Sequence, residues 1–391
     1  MASRGRKSRS LEAFSGASEV SNSEDLLIEI LLRLPGKSIL RFKSVSKRWY
    51  SIISTPRFIL THAKRNPNPQ LGFMLHTRLK IRSPGGIFFP LAGYQYSQHP
   101  NFLEIPELQV HHVCKGLMCF SKPHVNDPQI SFYYVCNHSS GQMKWLRILG
   151  SPSRETVKAF NVAFDPLRSR HYRLVFVSEL SVLDDYRLIK IDIYSSETKS
   201  WRPSRKGIYI LRYDIGFHIA VYLKDAIYWY NQKSPSLAYF DFNDDSVESL
   251  PMPEVTQTMT YYYFGESGGH LHLVGTWRPW STLFTVFEMQ EDRSGWFVKY
   301  DGDFDALATA FPKMVTNKTN RLCVFSVVSL SSGEKERELI IVLLIPQGVI
   351  WYNVGDRTWK KLFNIMSLSK IKLQQMTFEA HQYIETLASI V

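Results

Sequence analysis

Residues 191–201, IDIYSSETKSW, carry the pattern that decides the fold of this chain. Apolar and polar residues alternate up to Tyr194, six polar residues follow, and Trp201 opens the next apolar run. Alternation with a period of two predicts a β-strand that is half buried, and a short polar segment between two such runs predicts a turn. The stretch therefore predicts a β-hairpin whose turn lies at residues 195–199.

The same strand, turn and strand pattern recurs four more times. In each copy an apolar strand leads through a polar turn to an anchor residue, and the five anchors are Trp145, Trp201, Val247, Trp296 and Trp359. Successive anchors are 56, 46, 49 and 63 residues apart. Repeats of roughly 40 to 50 residues with about four strands each are the signature of a β-propeller. These five copies and the β-rich stretch 71–120 predict about six blades. Because the spacing is irregular, a β-sandwich is the alternative.

Composition agrees with a folded, β-rich chain. The hydrophobic share is 44%, the charged share 21% and the aromatic share 14%, and aromatic side chains suit pleated surfaces. The net charge of +12 is concentrated at the start, since residues 1–65 hold 13 basic and 5 acidic residues against 34 and 30 in the remainder. The nearly balanced body does not indicate a nucleic-acid surface.

Features of secretion and of structural metal binding are weak. The first ten residues are basic and polar, and the longest apolar run, residues 339–345, is far shorter than the ~20 residues that span a bilayer. The cysteines lack a zinc-ligand spacing; they are Cys114, Cys119, Cys136 and Cys323. We therefore expect a protein of the cytoplasm, the nucleus or both, with reduced thiols.

The chain begins with a different pattern. Residues 1–22 lack periodic apolar residues and predict a disordered basic tail, whereas residues 23–65 predict a three-helix domain and 66–391 the β-repeat domain. Pro35 ends the first predicted helix and opens the second, Pro56 breaks the third, and residues 58–60 add at most one more turn. A domain of about 40 residues cannot hide all of its apolar faces, so we expect it to dock on a partner.

Residues 25–49, DLLIEILLRLPGKSILRFKSVSKRW, closely resemble the F-box in their D-L-L start, I-L-x-R-L-P centre and V-S-K-R-W end. The remainder resembles the kelch-like F-box-associated domain that is abundant in plant F-box proteins. The motifs that carry this second resemblance are C-x-G-L-x-C at 114–119, F-D-P at 164–166, Y-S-S-x-T-x-S-W at 194–201, V-x-L-x-x-x-x-Y-W at 221–229 and Y-I-E-T-L at 383–387.

The resemblance implies a non-catalytic adaptor without a cofactor. The F-box would bind a Skp-type subunit, and through it the cullin and RING subunits of a ubiquitin ligase, while the β domain captures an unknown target protein. Carried over to this chain, the adaptor-binding positions are Leu26, Leu27, Ile30, Leu31, Leu34, Pro35, Leu40, Val45 and Trp49. Family members usually carry Leu-Pro where this chain has Asn22-Ser23, which predicts a loss of about 1 to 3 kcal/mol of buried contact.

Three alternatives are weighed against this hypothesis. An F-box protein can act in protein interactions without ligase activity. The basic residues of the helices could instead contact nucleic acid; they are Arg41, Lys43, Lys47 and Arg48. A metal-dependent enzyme would need ligands among the acidic and histidine clusters, which are Asp301, Asp303 and Asp305, the pair Asp244 and Asp245, His111 and His112, and His270 and His272. Those clusters lack the full spacing of a metal site, and the paired acids suggest a solvated turn.

Overall fold

The chain was analysed as a computed structural model. The structure describes residues 23–66, 70–77, 87–90, 108–124, 126–127, 131–137, 139–146, 156–212, 216–217, 219–230, 234, 236–253, 259–277, 281–315, 324–332, 339–364 and 378–390. The predicted tail, residues 1–22, and Cys323 lie outside the described residues.

A helical domain precedes the β domain. It contains α1 (Glu24–Leu31), α2 (Gly36–Phe42), α3 (Lys47–Ser54) and α4 (Pro56–Arg65). Hydroxyl side chains cap three of these helices, because Ser23, Ser46 and Thr55 accept hydrogen bonds from backbone N–H groups in the first turns of α1, α3 and α4. None of the described helices is long and apolar enough to cross a membrane.

The described residues 23–66 contain four helices, so the prediction of three was wrong. Pro56 ends α3, as predicted, but it also occupies the first turn of a ten-residue helix. Proline suits that position because its missing N–H would have no partner inside the helix. The hydroxyl of Thr55 accepts the backbone N–H of Phe58 at 3.2 Å and completes the start of α4. Phe58 then packs into the domain core.

In the part of the chain that the structure describes, twenty-three strands follow, and most of them are joined as consecutive antiparallel pairs. The strands are β1 (Gln70–Thr77), β2 (Ile87–Pro90), β3 (Gln109–Cys114), β4 (Leu117–Pro123), β5 (Ser131–Asn137), β6 (Met143–Leu146), β7 (Val157–Ala163), β8 (Arg173–Leu183), β9 (Tyr186–Ser195), β10 (Ser200–Arg212), β11 (Ile219–Leu223), β12 (Ala226–Tyr230), β13 (Ser236–Asp241), β14 (Ser246–Pro251), β15 (Thr260–Ser267), β16 (His270–Thr276), β17 (Leu283–Met289), β18 (Trp296–Asp303), β19 (Ser326–Ser332), β20 (Leu339–Ile345), β21 (Gly348–Asn353), β22 (Thr358–Asn364) and β23 (Phe378–Ile384). A short helix, α5 (Asp305–Ala310), and a 3₁₀ turn, Pro312–Met314, follow β18.

The strands form a propeller, as predicted. Five four-stranded sheets, here called blades 1 to 5, run from β3–β6 to β19–β22, and the first strands of neighbouring blades contact one another. A three-stranded sheet has the order β2-β1-β23, so the last strand of the chain pairs with the first. In the turn between β3 and β4 of blade 1, a side chain at Gly116 would lie 2.6 Å from the carbonyl oxygen of Ile384, the last residue of β23. This close approach joins the two ends of the ring.

The described residues form five four-stranded blades, one fewer than the six predicted. The stretch 71–120 was taken as one blade, but it divides between two sheets. Strands β1 and β2 join β23 in the closing sheet, whereas β3 and β4 begin blade 1. The division arises because β1 pairs with β23 from the far end of the chain. No local sequence pattern predicts such a long-range pairing.

The five repeats identified in the sequence are the outer hairpins of the five blades, because each anchor residue lies on the fourth strand. Each connecting turn contains one residue with positive φ, and these are Gly141, Lys199, Asp245, Arg293 and Arg357. A left-handed residue is what a short hairpin loop with a bulge requires. Turn geometry therefore repeats even where the residue type does not.

Arginine–aspartate ion pairs join neighbouring blades. Arg173 and Arg202 of blade 2 reach Asp225 and Asp245 of blade 3, each at 2.6 Å. Blade 4 is linked to blade 3 by Arg293 and Asp241 at 3.0 Å, and to blade 5 by Asp303 and Arg357 at 3.2 Å. These pairs add polar links to the apolar packing between the sheets.

Candidate functional site

The nine predicted adaptor-binding residues fall into three groups. Leu26, Ile30, Pro35 and Val45 are exposed; Leu34, Leu40 and Trp49 are half-buried; Leu27 and Leu31 are buried. Exposed fractions are 50% for Leu26, 47% for Ile30 and 58% for Val45. These three residues offer apolar surface that a partner could cover.

Leu27 and Leu31 form the inner face of α1. They are 2% and 0% exposed and pack with apolar residues of the other three helices. Residues four apart share one helix face, so Leu27 and Leu31 point inward while Leu26 and Ile30 lie together on an adjacent face. Leu27 and Leu31 thus have almost no accessible surface and support the exposed residues from inside, and adaptor binding by these two residues stays a prediction.

Tyr50 belongs with the exposed apolar residues, although it was not predicted. Its exposed fraction is 57%. The preceding residue, Trp49, is held by a hydrogen bond from its backbone N–H to Ser46 Oγ at 3.1 Å and by an edge contact with Phe42 at 5.3 Å. Because Trp49 is anchored in this way, Tyr50 is presented to solvent. An aromatic residue next to the V-S-K-R-W end of the motif was the available signal.

Side-chain hydrogen bonds connect the C-terminal ends of α1 and α4. Glu29 accepts two hydrogen bonds from the guanidinium of Arg65, at 2.7 and 2.8 Å, and this contact lowers the pKa of Glu29. His62 Nε2 donates to the carbonyl oxygen of Leu34 at 2.8 Å, and Asn66 Nδ2 donates to that of Leu32 at 3.0 Å. Helix ends leave carbonyl groups without partners inside the helix. The carbonyl groups of Leu32 and Leu34, which follow the end of α1, accept side-chain hydrogen bonds at the end of α4.

A second feature of this site is the segment after β23, residues 385–390, here called the C-terminal strap. Leu387 is 4% exposed and belongs to the apolar core of the helical domain. Glu385 Oε2 accepts the backbone N–H of Lys37 at 2.8 Å. A side chain at Gly36 would lie 3.2 Å from Glu385 Cβ, so glycine permits this close approach. The strap is thus part of the helical domain although it comes from the opposite end of the chain.

The strap is also bound to blade 1. Asn137 Nδ2 donates to the carbonyl oxygens of Thr386 and Ala388 at 3.1 and 2.7 Å. Ser139 Oγ accepts the backbone N–H of Thr386 at 3.0 Å. Ala388 also packs into the propeller core. One short segment therefore connects the core of the helical domain with that of the propeller, and the family motif at 383–387 had given no indication of this role.

The acidic residues considered as metal ligands have separate partners. Asp301 accepts a hydrogen bond from the hydroxyl group of Thr285 at 2.6 Å, and Asp305 accepts one from the hydroxyl group of Thr282 at 2.6 Å. Asp303 forms an ion pair with Arg357. Within the part of the chain that the structure describes, no group of three or more His, Cys, Asp and Glu residues could hold a metal ion.

The histidine pair of β16 lies beside a carboxylate that the sequence had not indicated. Glu288 Oε2 is 2.8 Å from His272 Nε2 and also accepts a hydrogen bond from Lys299. Burial lowers the pKa of His272 to about 4, so the ring is neutral at pH 7. This cluster is an internal ion-pair network.

The acids of the β13–β14 turn differ from each other. Asp244 is exposed, as expected of a solvated turn, but the side chain of Asp245 has no exposed surface. Asp245 accepts two hydrogen bonds from Arg202, at 2.6 and 3.0 Å, and one from the backbone N–H of Arg205 at 3.0 Å. Burial alone would raise the pKa of Asp245, but these hydrogen bonds and the arginine charges lower it. The expectation of a solvated pair was therefore wrong for Asp245.

The geometry defines a propeller that carries a small helical docking domain. A domain profile described as the F-box domain matches residues 23–61, and one described as the F-box associated beta propeller domain matches residues 94–268. F-box protein At5g07610 of Arabidopsis thaliana is 30% identical over 427 residues, which cover 100% of this chain and 98% of that protein. F-box/kelch-repeat protein At4g19930, also from Arabidopsis thaliana, is 25% identical over 59% of this chain and 57% of its own length.

The chain belongs to the family of F-box proteins with an F-box-associated propeller domain. At the position where family members usually have proline, the hydroxyl of Ser23 caps α1 by accepting the backbone N–H of Leu26 at 3.4 Å. A serine cap stabilises a helix start by about 1 kcal/mol. The change from the family pattern thus adds a local interaction at the start of the F-box.

Proposed function

We propose that this chain is the target-recruiting subunit of a Skp-cullin-F-box ubiquitin ligase, acting in the cytoplasm, the nucleus or both. Its F-box binds the Skp-type subunit, which connects it to the cullin and RING subunits, and its propeller captures the protein to be ubiquitinated. The chain itself performs no bond chemistry in this scheme.

The observation that carries the proposal is the exposed apolar surface of an F-box that is already packed on its own propeller. Leu26 and Ile30 remain about half exposed although the domain core is closed by Leu387 of the strap. Apolar side chains that neither the domain nor the propeller covers are typical of a protein interface. Val45 and Tyr50 extend the set of candidate contacts.

The strap supports the second part of the proposal. Asn137 donates hydrogen bonds to the strap and Ser139 accepts one from it, which fixes the strap to blade 1, while Glu385 and Leu387 hold α2 and the F-box core. A target bound to the propeller would therefore stay in a defined orientation relative to the adaptor. Such a rigid connection suits transfer of ubiquitin across a fixed gap.

The test is co-elution of the purified full chain with a Skp-type subunit in size-exclusion chromatography. We expect a one-to-one complex for the wild-type chain and none for Leu26→Lys with Ile30→Lys, because two ammonium groups would have to enter an apolar interface. Both positions are exposed, so the variant should keep its circular dichroism spectrum. Ile210→Lys is the matched control, since Ile210 is an exposed apolar residue of the propeller. Equal co-elution of the double variant and the control would refute adaptor binding through this face.

A further inference from the structure

A basic cleft lies where the F-box, blade 1 and the C-terminal strap meet. The F-box contributes Lys37, Arg41 and Lys43, and the turn between β5 and β6 contributes Ser139, Ser140 and Gln142. Strap residues 387–389 complete the lining. The cleft thus has one cationic wall and one wall of neutral polar groups, which come from different domains.

The three cationic side chains of this cleft have no acidic partner among the described residues; Glu385 accepts only the backbone N–H of Lys37. None of them forms an ion pair with any residue that the structure describes. Elsewhere in the chain many basic side chains are neutralised, as Arg65 is by Glu29 and Arg202 by Asp245. Three positive charges that line one cleft repel one another unless an anion is present.

Burial makes the missing counter-charge more costly. Lys43 is half-buried, and burial lowers the pKa of its ammonium group. A cation that has lost part of its hydration is stabilised by an opposite charge, more strongly than one in bulk water. Leu40 and Leu387 also line the cleft and contribute apolar surface that weakens screening.

The neutral wall offers hydrogen-bond donors. Ser139 Oγ already accepts the backbone N–H of Thr386, and Ser140 Oγ accepts that of Gln142. Gln142 Oε1 accepts the backbone N–H of Ile390 at 3.3 Å. The acceptor atoms are therefore engaged, while the hydroxyl hydrogens and the amide NH₂ group can still donate. A wall of donors opposite a wall of cations is complementary to an oxyanion.

We propose that this cleft binds a phosphate group and that the bound phosphate joins the F-box to the propeller. The guanidinium of Arg41 matches the geometry of two phosphate oxygens, and the two ammonium groups supply charge-assisted hydrogen bonds. The phosphate is carried either by a free phosphorylated compound or by a phosphorylated serine. Bound in the cleft, it contacts both domains and holds the F-box in the orientation that the strap defines.

Calorimetric titration of the full chain at constant ionic strength tests the site with two probes. The first probe is inorganic pyrophosphate, and the second is a short peptide with one phosphoserine, compared with the same peptide without phosphate. We expect saturable binding at one site for at least one probe, and the probe that binds identifies the source of the phosphate. No saturable binding of either probe would overturn the proposal.

Matched variants separate this site from general charge effects. Lys37→Gln with Lys43→Gln should weaken binding by about tenfold or more, and Arg41→Gln alone should weaken it in the same direction. The control is Lys47→Gln with Lys64→Gln, which removes the same charge from exposed positions of the F-box outside the cleft. Equal affinity of the cleft and control variants would overturn the site, whereas a loss confined to the cleft variants supports it.

Discussion

Asp245→Asn is the substitution whose effect on stability can be worked out most fully from the structure. The carboxylate has no exposed surface and accepts three hydrogen bonds, two from Arg202 and one from the backbone of Arg205. Asparagine keeps the shape and tolerates the positive φ of this position, which is 50°. It can still accept the backbone N–H, but it loses the charge that Arg202 requires.

The size of the effect follows from what Arg202 loses. Breaking a buried ion pair costs about 3 to 5 kcal/mol when the remaining charge stays buried. The side chain of Arg202 is 48% exposed, so water can solvate the guanidinium once the carboxylate is gone. We therefore expect a decrease of about 2 to 3 kcal/mol in the free energy of unfolding, below the fully buried case.

Equilibrium urea unfolding followed by tryptophan fluorescence measures this difference. Asp244→Asn is the matched control, because Asp244 is the neighbouring acid of the same turn and is exposed. The control should change stability by less than about 0.5 kcal/mol. Equal effects of the two substitutions would show that the ion pair between blades 2 and 3 does not stabilise the propeller.

Three further predictions concern other parts of the chain. Leu31→Ala should destabilise the F-box by about 2 to 5 kcal/mol in thermal unfolding, because it leaves a cavity in the core, whereas Ile30→Ala should have a small effect. Leu387→Ala should destabilise the same domain by a similar amount, although Leu387 lies 356 positions after Leu31. An unchanged stability of the F-box would refute the claim that the strap is part of the F-box core. Burial lowers the pKa of His112 to about 4 in the folded chain. Between pH 6.5 and pH 4 the imidazole is therefore protonated in the unfolded chain but not in the folded one. The free energy of unfolding should fall as the pH falls through this range, by up to about 3 kcal/mol. His112→Gln should reduce the difference between urea unfolding at pH 7 and at pH 4.5, and an unchanged difference would contradict this assignment.

The repeated hairpins were predictable because their signals are local. Within one copy, the alternating strand, the polar turn and the anchor residue lie within about a dozen residues, as in 191–201 and 349–359. The F-box helices were predictable for the same reason, apart from α4, because Pro56 was interpreted as the end of the third helix with at most one further turn after it. A proline can end one helix, and it can also occupy the first turn of the next helix. Local sequence does not show whether a second helix follows the proline.

The features that the sequence did not predict depend on contacts between distant residues. The bond from Lys37 to Glu385 joins positions 348 apart, and Arg202 meets Asp245 across 43 positions. The pairing of β1 with β23 likewise decides how the ring closes. For the candidate site, the resemblance indicated the helices, but only side-chain burial separated Leu26 and Ile30 from Leu27 and Leu31. That separation depends on how four helices and the strap pack together.

Recruitment of the cullin subunit tests the central claim most directly. The full chain, immobilised and mixed with a Skp-type subunit and a cullin, should retain the cullin only when the Skp-type subunit is present. The Leu26→Lys and Ile30→Lys double variant should lose the cullin, while Ile210→Lys should retain it as well as the wild-type chain does. Failure of the wild-type chain to retain the cullin in the presence of the Skp-type subunit would contradict the assignment of this chain to a ubiquitin ligase.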